Sequence, residues 1–105
     1  MSNKEAQLCA EAHEILSLSL ADATDHRLQC MSIDRVQLRD NARKLCVSVS
    51  VELGEEGLPS LEEAKHALLH ARSYLRRQVA AGIARKRTPE LEFELRPSAL
   101  ALDGL

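Results

Sequence analysis

Apolar residues recur at helical spacing over residues 5–21, where Leu8, Ala12, Ile15, Leu16 and Leu20 fall three and four apart with acids between them. That spacing predicts an amphipathic helix, ended by the polar run 21–28. From Cys30 to Leu38 the period shortens to two, with Met31 and Ile33 on one phase and Val36 and Leu38 on the other. The jump of three across Asp34 and Arg35 predicts a β-bulge that keeps both pairs on one face. Asp40 and Asn41 suit a tight reversal over 39–42. Residues 44–53 then alternate without error: Leu45, Val47, Val49, Val51 and Leu53 against Lys44, Cys46, Ser48, Ser50 and Glu52. One face of this strand is core and the other is wet.

The stretch 54–59 reads as a loop, and Ser60 with Glu63 forms a capping box just after Pro59. A helical stripe follows through Leu61, Ala64, Leu68, Ala71, Leu75, Val79 and Ile83, more than six turns by spacing. Thr88-Pro89 closes the segment, because the residue before proline avoids helical angles. A third strand has Leu91, Phe93 and Leu95 facing in and Glu90, Glu92, Glu94 and Arg96 facing out. The order is α-β-β-α-β. A three-stranded sheet with both helices on one face is the two-layer α+β arrangement that buries the apolar side of every strand. Residues 1–98 are expected to form one domain, and 99–105 a short, loosely attached tail; Pro97 and Ser98 read with that tail.

At 105 residues there is room for a single core. Aromatic residues make up 2%, which excludes a sheet that stacks successive bases on several rings. Cys9, Cys30 and Cys46 are widely spaced, odd in number and without a CxxC, so they read as small buried hydrophobes of a reducing compartment. No apolar run approaches the roughly 20 residues that span a bilayer, and the N-terminus has acids where a signal peptide is apolar. A cytoplasmic protein is expected.

Charge changes the picture more than composition does. The net charge of -2 conceals blocks of opposite sign. Between Arg72 and Pro89 stand six cations, Arg72, Arg76, Arg77, Arg85, Lys86 and Arg87, and no acid. Such a cluster attracts a polyanion by counterion release. On the helix Arg72 and Arg76 flank the apolar stripe four residues apart, a like-charge pair that costs a few tenths of a kcal/mol unless an outside anion relieves it. Arg43 and Lys44 extend this footprint, and Arg27 reaches it from the first turn.

The segment 68–93, with Leu75-Arg76 and the ending Arg87-Thr88-Pro89-Glu90-Leu91-x-Phe93, resembles the ribosome-binding factor A family. Asp25-x-Arg27-Leu28 and Val36-x-Leu38-x-Asp40 are similar to the turns before and after that family's first strand. The resemblance covers residues 5 to 98. It implies a type II KH-like fold and a non-enzymatic factor that binds the free 30S ribosomal subunit and assists 16S rRNA processing and subunit maturation. Three departures stand out. Ala71-Arg72-Ser73 occupies the place of an Ala-x-Gly helix break, so the kink is expected to be weak or absent. His26 replaces a proline in the first turn. The chain stops at Leu105, where relatives commonly extend further.

Other motifs carry less. Gly54-Glu55-Glu56-Gly57 has the spacing of a KH phosphate clamp, but its two carboxylates would repel phosphate and it joins a strand to a helix. His66 and His70 have the spacing of two zinc ligands, with nothing nearby to complete a site, so no metal is expected. No nucleophile elbow, phosphate loop or carboxylate pair frames an active site, and no enzyme, cofactor, membrane or small-molecule substrate is expected. Tyr74 reads as a cover for the helix edge rather than a base-stacking ring. The expected partner is 16S rRNA within the free 30S subunit, bound by a monomer through Arg72, Arg76, Arg77, Arg85, Lys86, Arg87, Arg43, Lys44 and Arg27. The alternative is a protein-interaction module whose basic helix meets an acidic partner.

Overall fold

The structure, a computed structural model, describes residues 3–41, 43–83 and 87–98. Helix α1 spans Asn3–Ala21 and the one-turn helix α2 spans His26–Gln29. Strands β1 (Met31–Arg39) and β2 (Lys44–Val51) follow, then α3 (Leu61–Gly82) and β3 (Glu90–Pro97). The sheet order is β1-β2-β3, with β1 antiparallel and β3 parallel to the central β2. The hairpin turns at Asp40 and Asn41, both in the left-handed region, with φ of 52° and 54°. Aspartate and asparagine tolerate that conformation better than other side chains with a Cβ. The register shifts between Ile33 and Arg35, the bulge that the sequence spacing requires.

The expected α+β fold with its helices on one face is what forms. Leu45, Val47, Val49 and Val51 are fully buried, while Lys44, Cys46, Ser48 and Ser50 line the open face of the sheet. Leu16 and Leu20 of α1 and Leu75 and Val79 of α3 complete the core. Ser60 caps α3 in a reciprocal box with Glu63, again as the sequence indicates. At the far end of α3, Gly82 lies so close to Ile15 of α1 that a Cβ there would collide with the Ile15 side chain.

Four local expectations need correcting. The run 21–28 is not plain loop, because Asp25 caps the single turn of α2. The helix stops at Gly82, where Ile83 turns extended at ψ 146° while its side chain stays buried. Of the cysteines only Cys9 is buried, since Cys30 and Cys46 are half exposed. Pro97 ends β3 rather than opening the tail, and the Ser98 amide donates to the Val51 carbonyl at 2.9 Å. The tail 99–105 lies outside the described residues.

Candidate nucleic-acid interface

Helix α3 is continuous through Ala71-Arg72-Ser73, with no break between its two halves, so the side chains along it fall at helical spacing. Arg72 projects toward β3 and shares a groove of about 480 Å3 with Lys65, Leu69, Glu92 and Phe93. It lies near enough to Glu92 to help lower that carboxyl's pKa. One turn on, Arg76 donates from Nη2 to the Thr88 carbonyl at 3.3 Å, tying the helix to the segment that leads into β3. Arg77 is exposed beside it.

The sheet delivers two more cations to the same end of the molecule. The Glu90 amide donates to the Arg43 carbonyl at 2.9 Å, which places the hairpin turn against the start of β3. Exposed Arg87 precedes Thr88 on that same approach. Arg43, Arg76, Arg77 and Arg87 therefore collect at the end where α3 finishes and β3 begins, although the first is more than thirty residues away in sequence. Arg85 and Lys86 lie outside the described residues.

Two of the sequence candidates are committed elsewhere. Arg27 forks onto its neighbour: Nε and Nη2 donate to the two carboxylate oxygens of Asp25 at 3.1 and 2.8 Å. That hydrogen bonding holds the Asp25 carboxyl below the usual carboxylate range. Arg27 also borders a depression with Glu62, Glu63 and Lys65 at the start of α3. Fourteen residues separate Glu63 from Arg77, and at 1.5 Å per residue that is about 21 Å. Arg27 thus belongs to the opposite end of the helix. Lys44 sits on the open face of the sheet, 3.0 Å from Glu92 and 3.6 Å from Asp40. The bond to Glu92 raises the pKa of Lys44 and lowers that of Glu92. The sequence offered no means of seeing this pair, whose members meet only because β2 and β3 are neighbours.

The rings of His66 and His70 pack at a tilt, with centroids 4.2 Å and planes 46° apart. Among the described residues no group of three His, Cys, Asp or Glu is placed to hold a metal. Desolvation raises the pKa of all three thiols, which disfavours the nucleophilic thiolate. No described helix is long and apolar enough to cross a membrane. Tyr74 is 37% exposed and borders a cleft with His70, Ala71 and the loop after α1, so it covers the edge of the helix.

Comparison with known proteins agrees with this frame. The family profile described as Ribosome-binding factor A matches residues 4–100. The crystal structure of ribosome-binding factor A from Thermus thermophilus is 28% identical, with a TM-score of 0.72, over 87% of this chain and 93% of that one. A homology model of the Thermus thermophilus factor, fitted into the cryo-electron microscopy map of a 30S complex, is also 28% identical. It gives a TM-score of 0.62 over 90% of this chain and 93% of that chain. The solution structure of a candidate ribosome-binding factor A from Thermotoga maritima shares the fold at 24% identity and a TM-score of 0.64, over 90% and 88% of the two chains. No curated protein sequence matches the chain.

Proposed function

The chain belongs to the ribosome-binding factor A family, and from that premise we infer that it binds the free 30S subunit and assists 16S rRNA processing and maturation. The observation that carries this reading is the assembly of Arg76, Arg77, Arg87 and Arg43 at one end of the fold, with Arg72 one turn back along α3. None of these five guanidinium groups forms an ion pair among the described residues like those that hold Arg27 and Lys44. Likeness to a factor fitted into a 30S complex supports the same partner. Arg85 and Lys86 follow α3 in sequence and add to the footprint.

The mechanism is steric and electrostatic, with no chemical step. A cytoplasmic monomer grips phosphates of one rRNA segment, holds that segment in a single arrangement while the subunit matures, and is then displaced. Phosphate contacts position and carry little sequence information, so specificity comes from the shape of the folded rRNA. If four to six phosphates are neutralised, log affinity falls with log salt at a slope of about -3 to -5. Replacing Arg76 and Arg77 with Glu should abolish binding to isolated 30S subunits while leaving the thermal unfolding curve close to wild type. Unchanged affinity would exclude this surface.

A further inference from the structure

Ser73, Arg76, Arg77 and Ala80 stand at positions i, i+3, i+4 and i+7 of α3, so they share one facet of the helix. With Thr88 they line a shallow depression of about 550 Å3. Its composition is unusual for this molecule: two guanidinium groups, two hydroxyl-bearing residues and one methyl, with no carboxylate. Ala80 keeps the floor low. The hydrogen bond from Arg76 to the Thr88 carbonyl joins the helix side of the depression to the segment before β3. A single phosphate presents several acceptor oxygens and suits such a ring of donors, because bonds from guanidinium to an anion are roughly twice as strong as neutral ones.

We propose that this depression is a socket for one backbone phosphate of the RNA, and that Ser73 is a binding residue in it, its hydroxyl donating to a phosphate oxygen between the two arginines. The proposal rests on the RNA-binding reading above and sharpens it from a charged surface to a defined subsite. Ser73 is also where this chain departs from the Ala-x-Gly pattern, so the hydroxyl has no counterpart in a relative that keeps the glycine. The side chain does not owe its place to helix formation. It is exposed in the middle of α3, where alanine would be the better helix former.

Ser73→Ala should raise the melting temperature slightly yet weaken binding of a fluorescent 20-nucleotide oligouridylate by about ten- to a hundredfold, the range for losing one hydrogen bond to a charged group. Because a hydroxyl releases no counterion, the salt slope should stay as in wild type, whereas Arg77→Ala should lower it by about one. Ser73→Thr, which restores a hydroxyl, should recover most of the affinity. Wild-type affinity in Ser73→Ala would overturn the socket while leaving the arginine surface intact. Loss of affinity in Ser73→Ala with no recovery in Ser73→Thr would overturn the hydroxyl's role. Binding of inorganic phosphate as tight as that of the oligouridylate, at matched ionic strength, would assign the depression to a free anion and overturn the backbone assignment. If the arginine variants also bind like wild type, the RNA-binding reading falls together with the socket.

Discussion

Arg27 and Arg76 carry the same head group, and their neighbours give them different tasks. Arg27 is clamped to Asp25, whose carboxylate also accepts from the Arg27 amide at 3.0 Å and so caps α2. This is an ion pair and a helix cap built from two residues. Arg27→Ala keeps the backbone cap and loses only the partly exposed ion pair, so it should lower the melting temperature by no more than a few degrees and leave RNA affinity within about twofold of wild type. A larger affinity loss would return Arg27 to the interface. The same clamp gives a pH signature. The Asp25 carboxyl is lowered in the folded state, so its contribution is present above its unfolded value, near 4, and is lost as pH falls through the folded value. In acid titrations of thermal stability, Asp25→Asn, which can still cap, should flatten the decline of wild type below about pH 4. Parallel curves would show that the pair adds nothing.

Elements were legible in the sequence wherever a period had room to repeat. The alternation through β2 and the stripe of α3 were legible, although the strand ends at Val51, two residues before the alternation does, and even the bulge announced itself as a jump of three across Asp34 and Arg35. Helix α2 was hidden because four residues hold barely one turn, too short for any periodicity. The end of α3 was misplaced because Ile83 keeps its side chain in the core after the backbone has left the helix. Strand order was illegible, since alternation is the same whichever neighbour a strand takes. The parallel pairing of β2 with β3 follows from α3 acting as the crossover between them. The arginines of α3 were readable as a local cluster, but joining Arg43 to them required the Glu90 to Arg43 bond. Because α3 presents those arginines, its capping box is the element most worth testing. Ser60→Ala should cost about 1 kcal/mol, seen as a fall of about 4–8 °C in melting temperature. An unchanged unfolding curve would mean that packing alone sets the start of the helix.

On the scale of the whole molecule the charges separate by place as well as by sequence. Cations gather where α3 ends and β3 begins, with exposed Glu90 at their border, whereas Glu62 and Glu63 lie in the first turn of α3 and Glu92 and Glu94 stand further along β3. On the reading proposed above, an rRNA strand that meets this protein is drawn toward that end, and the same field orients the domain on it. When a lysate is sedimented on a gradient, the protein should therefore travel with free 30S subunits and be absent from assembled ribosomes. Raising the salt should release it, as the loss of counterion-driven contacts demands. Ribonuclease treatment should also return it to the top of the gradient. If it remains in a heavy complex after the RNA is digested, the basic end is held by an acidic protein, and RNA binding is not what this charge distribution serves.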